Sequence, residues 1–276
     1  MTSPGLCRAD FLLASARSAG PVVGFDTGAS VASIALAVDG RIVGEIARPV
    51  TSHGAALPGA VEELLNKASL RPSDLSGVAV GIGPGSFTGL RIGLSYAKGL
   101  VMASKAKIVG VPSLDAIAIT ALESPAARPG LMVCPLVDAR KGEVYTALYE
   151  IVGDGLEKVS WDVVMPLVRV ISHLRHGAIL AGDHQANDAA ALLKDRGLDV
   201  TVLEQSALEA RGRNVAALGA ARIASGDSDP AGTLEPLYVR SPEATIKAPG
   251  SATGTEGVWS VEKRNSSVSI WMRTTS

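Results

Sequence analysis

Two aspartates in this chain stand where a short apolar strand gives way to a turn. Asp26 lies in Phe25-Asp26-Thr27-Gly28 and Asp138 in Val137-Asp138-Ala139-Arg140-Lys141-Gly142. A carboxylate so placed can hold a phosphate or a metal, with Thr27 beside it. It can equally bond the N–H groups of its own turn, the ordinary use of Asp and Thr side chains there. Between the two aspartates runs Gly81-Ile82-Gly83-Pro84-Gly85-Ser86-Phe87-Thr88-Gly89-Leu90-Arg91-Ile92-Gly93. A glycine-rich passage from strand to helix can cradle a phosphate on backbone N–H groups. This one has Leu90-Arg91 where a P-loop carries Lys-Ser/Thr, and Gly89 comes one place too late for G-x-G-x-x-G.

The same stretch supports two non-catalytic readings. Phe87, Leu90, Leu94, Ala97 and Val101 fall on one helical face. Gly85, Gly89, Gly93 and Ala97, each four apart, form a stripe without bulk that lets another backbone come close. Glycine inside a helix costs ~1 kcal/mol relative to alanine, so something is expected to lie against that stripe. A partner helix and the chain's own sheet both fit.

Composition narrows the classes. With 276 residues, 47% of them hydrophobic, one or two domains with a proper core are expected. There are 26 basic and 27 acidic residues with no basic block, so any RNA is expected to be gripped by another subunit. Cys7 and Cys134 are isolated, which suits a reducing, cytoplasmic setting and argues against a cysteine metal site. No apolar run reaches the ~20 residues of a membrane span.

In chain order, residues 1–20 read as an extension outside the fold. Val22–Phe25, Val31–Val38 and Arg41–Ala47 read as three meandering strands, the last two joined at Asp39-Gly40. Thr51-Ser52-His53 precedes a helix with Leu57, Val61, Leu64, Leu65 and Ala68 on one side. His53 has no second histidine at ligand spacing. Strand, glycine loop, helix, strand and helix then complete a first lobe, 21–123. Pro125, Pro129 and Gly130 mark the boundary to a second lobe, 124–240, which repeats strand, Asp-led turn and returning strand. Residues 241–276, rich in Ser, Thr and Gly without sustained period, read as a disordered tail.

Gly83-Pro84-Gly85-Ser86-Phe87-Thr88-Gly89-Leu90-Arg91-Ile92-Gly93, followed by Ala97-Lys98-Gly99-Leu100, resembles the signature of the TsaB (YeaZ) family. Asp26-Thr27, His53 with Leu57-Pro58, Asp138-Ala139-Arg140-Lys141-Gly142-Glu143-Val144-Tyr145 and Tyr238-Val239-Arg240 match in order, so the resemblance covers about Val22 to Arg240. It implies an α/β, actin-like fold of the sugar kinase and Hsp70 class, with two lobes on mixed sheets. The function it implies is that of a non-catalytic scaffold. This scaffold pairs with TsaD, with TsaE joining, so that threonylcarbamoyl is transferred to the tRNA adenosine beside the anticodon. On this resemblance tRNA is met only indirectly, and a homodimer through the same helices stays open. The implied partner contacts are Gly85, Phe87, Gly89, Leu90, Arg91, Gly93, Ala97, His53 and Leu57. No tightly bound cofactor is implied, although ATP or ADP can sit at the interface with the partner, and Asp26, Thr27 and Asp138 are the residues that could meet a nucleotide or phosphate. Gly182-Asp183 resembles the adenosine-side strand end of nucleotide-binding relatives, without their glycine loop. The H-x-x-x-H pair of catalytic relatives is absent, so no metal site of that kind is expected. The rival reading is a nucleotide-dependent phosphotransferase or ATPase using Asp26 and Asp138.

Overall fold

The structure, a computed structural model, describes residues 6–7, 9–49, 56–174, 177–203, 209–239, 257–264 and 267–274. The first sheet comprises β2 (Val22–Asp26), β3 (Val31–Val38), β4 (Arg41–Pro49), β5 (Gly77–Gly83) and β6 (Lys107–Pro112), ordered β4-β3-β2-β5-β6. β2–β3 and β3–β4 are antiparallel, whereas β2–β5 and β5–β6 are parallel. β2 is buried at every residue, as expected of a central strand covered on both faces. β4 is an edge strand whose side chains alternate between exposed and half-buried before an exposed end.

One face of this sheet carries α2 (Ala56–Lys67) and α3 (Phe87–Ser104), through Leu57, Val61, Leu64, Leu94, Ala97 and Leu100. The other face carries α1 (Ala9–Ser15), α4 (Ser113–Ile119) and α7 (Arg211–Ala224). Two expectations change here. Leu12, Leu13, Ala16 and Ala19 are core residues, so this part of the N-terminal stretch belongs to the fold. The burial of these four apolar side chains decides it. α7, late in the chain, packs on β2, β3 and β5 and therefore belongs to the first lobe. Its alanine face approaches so closely that a Cβ on Gly24 would overlap the Ala216 backbone. The chain then straps back across the first lobe over residues 227–239. Asp229 N–H donates to the Ile108 carbonyl at 2.9 Å and Leu237 N–H to the Ile82 carbonyl at 2.7 Å.

The second lobe repeats the plan. β7 (Met132–Asp138) is central, with β12 (Ala178–Gly182) parallel on one side and β13 (Val200–Leu203) parallel beyond it. On its other side runs an antiparallel strand in two pieces, β8 (Glu143–Thr146) and β9 (Tyr149–Val152). These pair in turn with β11 (Val163–Pro166) and β10 (Gly155–Lys158). The returning strand breaks at Ala147-Leu148, where Leu148 N–H donates to Ser160 Oγ at 2.7 Å. β1 (Leu6–Cys7) adds to the β10 edge, and α5 (Leu167–His173) and α6 (Gln185–Asp195) cover one face. Two mixed sheets of matching strand order make the fold actin-like. At the C-terminus, in the stretch read as a disordered tail, β14 (Gly257–Arg264) and β15 (Ser267–Thr274) form an antiparallel hairpin. Its register pairs Trp259 with Met272 and Val261 with Ile270, an apolar alternation that the Ser and Thr content hides.

Helix α4 lies between the sheets. Ala116 and Ile119 enter the first lobe's core, while Leu114, Ile117 and Ala118 enter the second's. A polar cluster ties its far side down. Asp115 Oδ1 accepts from the Tyr149 hydroxyl at 2.6 Å and from Lys158 Nζ at 2.9 Å, and Lys158 also pairs with Asp162 at 2.7 Å. Burial, and then the Asp115 charge, push the Tyr149 phenol well above its usual range. Burial pulls on Lys158 in the opposite sense, but Asp115 and Asp162 outweigh it and its pKa ends up raised. A raised lysine adds stability that is complete below its unfolded value and disappears as pH climbs through the folded one. Lys158→Met is therefore expected to lose about 1–3 kcal/mol at neutral pH. Urea titrations should show that gap closing above about pH 10.5, the ordinary lysine value; a gap that persists there would contradict the assignment.

Candidate functional site

The Asp26-Thr27-Gly28 turn is filled from within. Asp26 is fully buried, and its Oδ1 accepts from Gly28 N–H at 2.7 Å and from Arg211 Nη1 at 3.2 Å. Its Oδ2 accepts from Ser113 Oγ at 2.6 Å, and that hydroxyl accepts in turn from Gly83 N–H at 3.1 Å. Arg211 is 1% exposed and donates through Nη2 to the Val31 carbonyl at 2.7 Å. Thr27 is buried as well, its hydroxyl donating to the Gly89 carbonyl at 2.7 Å. What Asp26 and Thr27 hold is therefore a buried ion pair and the start of α3. Asp26, Thr27 and Gly28 are all buried.

α3 begins against that turn. Ser86 N–H donates to the Gly28 carbonyl at 2.7 Å, and Ser86 Oγ caps the helix by accepting from Gly89 N–H at 3.3 Å. A Cβ on Gly85 would overlap the Gly28 carbonyl oxygen, one on Gly89 the Thr27 carbonyl oxygen, and one on Gly93 the Thr27 hydroxyl. The stripe expected to open onto a partner is thus occupied by the chain's own turn. Ala97 lies fully in the core, as do Leu90 at 1% and Leu57 at 3% exposure. Gly89, Leu90, Gly93 and Ala97 on α3 and Leu57 on α2 are thus buried, while Gly85, just before α3, is half-buried against the turn. His53 lies outside the described residues.

The outward side of α3 differs. Arg91, Ser95, Gly99 and Met102 are exposed, Met102 at 85%, with Ile92 and Tyr96 half-buried beside them. Among the described residues, a Cβ on Gly99 would meet nothing within 4 Å, and the same holds for Gly59 on α2. At its N-terminal end Phe87 and Arg91 remain at the surface, now with a third residue. The Arg91 guanidinium sits 3.9 Å from the Phe87 ring centroid, and Phe87 lies 5.4 Å from the Tyr238 ring. Arg91 Nε donates to the Tyr238 hydroxyl at 3.1 Å. Arg and exposed aromatics held in this way are the side chains that anchor protein interfaces.

In the second lobe Asp138 Oδ1 accepts from Arg140 N–H at 2.8 Å, shaping a turn in which Arg140, Lys141 and Gly142 all have positive φ. Asp138 N–H donates to Asp183 Oδ2 at 2.7 Å, and burial raises the Asp183 carboxyl above its usual range despite that bond. Asp26 and Asp138 end corresponding strands but share no hydrogen-bond partner among the described residues. The residues that sequence reasoning missed are Arg211, Ser113 and the anchoring role of Tyr238. Arg211 and Asn214 are polar residues three apart on an otherwise alanine-rich helical face, which was the available signal for a buried charge.

The model of the family described as TsaD, tRNA N6-adenosine threonylcarbamoyltransferase, matches residues 34–224. The tRNA threonylcarbamoyladenosine biosynthesis protein TsaB of Bacillus subtilis (strain 168) is 34% identical over 139 residues, which span 50% of this chain and 58% of that protein. Its namesake from Escherichia coli (strain K12) is 33% identical over 129 residues, 47% of this chain and 54% of the relative. The match thus spans little more than half the length of these relatives. YeaZ from Pseudomonas aeruginosa superposes with a TM-score of 0.66 at 25% identity, over 79% of this chain and 99% of that one. Together with the glycine helix and the paired mixed sheets, these likenesses place the chain in the TsaB (YeaZ) family of tRNA threonylcarbamoyladenosine biosynthesis proteins.

Proposed function

We propose that this chain is a non-catalytic scaffold that pairs with a TsaD-type threonylcarbamoyltransferase through the outward faces of α2 and α3. TsaE joins the pair, and the threonylcarbamoyl group is transferred to the tRNA adenosine next to the anticodon on the partner's site. The observation that carries this reading is the contrast within α3. Gly89 and Gly93 are accounted for by the turn they pack on, whereas among the described residues nothing lies within 4 Å of a Cβ on Gly99, beside exposed Met102. Glycine inside a helix costs ~1 kcal/mol, and among the described residues nothing packs against Gly99 to offset it. Close approach of a partner helix supplies the reason. The locked Asp26 supports the non-catalytic half, because a phosphotransferase needs that carboxylate turned toward its nucleotide.

The test is titration calorimetry of the full chain against TsaD of the same organism. Gly99→Glu is expected to weaken pairing about tenfold or more, ~1.4 kcal/mol, without lowering the unfolding midpoint. If wild type does not pair and the isolated chain hydrolyses ATP with a dependence on Asp26, the enzyme reading takes over. A dilution series of the chain alone shows whether the same face also closes a homodimer.

A further inference from the structure

A crevice of about 260 Å³ opens between α3 and the strap of residues 227–239, lined by Arg91, Ser95 and Lys98 from the helix and by Leu234, Pro236 and Tyr238 from the strap. Resting on the pairing reading above, we propose that this crevice receives a carboxylate side chain of the partner protein. Arg91 and Lys98 lie seven apart on α3 with Ser95 between them, and all three line the crevice, so it carries two cationic side chains. Among the described residues neither cation is paired with a carboxylate, whereas Arg48, Arg71, Arg213 and Arg222 each are. Arg91 is held instead by the Phe87 ring and by the Tyr238 hydroxyl, which accepts from Nε. That bond fixes the guanidinium plane and leaves the Tyr238 proton and the two terminal nitrogens for a ligand. A planar fork held in this way matches a carboxylate in two-point fashion.

Leu94, Leu234 and Pro236 give the crevice an apolar wall that suits the methylene stem of a Glu or Asp. Glu235 also lines it, without an ion pair to either cation among the described residues. Its charge disfavours a run of phosphates, as does the chain's net charge of −1; a single carboxylate, drawn in by two cations, tolerates it. The crevice runs along the same helix as Gly99 and Met102, so one partner element reaches both.

Calorimetry of the full chain with TsaD from the same organism, at low and high salt, tests this. Arg91→Gln and Lys98→Gln are each expected to raise Kd about tenfold at low salt, the size of one charge-assisted contact, and to flatten the salt dependence. Tyr238→Phe, which keeps the ring and removes the hydroxyl, should raise Kd by a smaller factor, since Tyr238 only positions Arg91. Unfolding midpoints should stay at the wild-type value. If wild type pairs and both charge variants pair equally well, the crevice proposal is wrong while the pairing reading stands. If they keep TsaD affinity but lose binding to a tRNA transcript, the crevice takes a phosphate and the carboxylate assignment is overturned. Failure of wild type to pair removes both readings.

Discussion

Arg211→Met should destabilise this protein by about 3–5 kcal/mol, the loss typical when one member of a buried ion pair is removed. That is a large fraction of the ~5–15 kcal/mol that holds an ordinary domain together. Asp26 and Arg211 are 0% and 1% exposed, so no solvent can take over the orphaned carboxylate. Arg211 also satisfies the Val31 carbonyl, and the adjacent Gly212 N–H donates to Ser33 Oγ at 2.9 Å. Losing the side chain therefore loosens the docking of α7 on β2 and β3. Asp26→Asn combined with Arg211→Met leaves no charge in the core, and the amide oxygen still accepts from Gly28. The double variant should lose less than the sum of the two single ones. Urea unfolding followed by circular dichroism measures this directly; Arg211→Met within 1 kcal/mol of wild type would falsify the structural role assigned to Asp26.

The second large effect is a pair of identical substitutions with opposite signs on one helix. Gly89→Ala drives a methyl group into the Thr27 carbonyl oxygen, a backbone atom held by β2 and unable to yield cheaply. Overpacking of this kind costs about 1–3 kcal/mol, and here it also threatens the Thr27 hydroxyl bond to the Gly89 carbonyl. Gly99→Ala meets nothing within 4 Å among the described residues, so it should stabilise by the helix-propensity difference, ~1 kcal/mol. Thermal or urea midpoints moving apart in these directions would establish which glycines serve the fold and which the surface. Equal shifts at both positions would show that the stripe does not pack on the turn.

Much of this protein was legible in its residues. The strand, hairpin and helix periods of the first lobe, the strand and Asp-led turn opening the second, and the glycine helix all follow from local pattern. These signals depend on residues a few places apart. The placement of α1 was not legible, because Leu12, Leu13, Ala16 and Ala19 acquire a meaning only through α7, some 200 positions away. Nor was the return of α7 to the first lobe, since nothing in an alanine face says which sheet it will cover.

The candidate site divides along the same line. The sequence alone determined that Gly85, Gly89, Gly93 and Ala97 form one stripe and that something must lie against it, because four-residue spacing and the penalty of helical glycine are local facts. Which surface fills the stripe was decided only by the tertiary structure. The turn Asp26-Thr27-Gly28 reaches it first, and hard-core repulsion then excludes any other backbone. As a consequence Arg91, Ser95, Gly99 and Met102 are exposed. Tyr238 meets Arg91 across 147 positions, a contact that no local pattern encodes and that the strap's hydrogen bonds to β5 and β6 bring about.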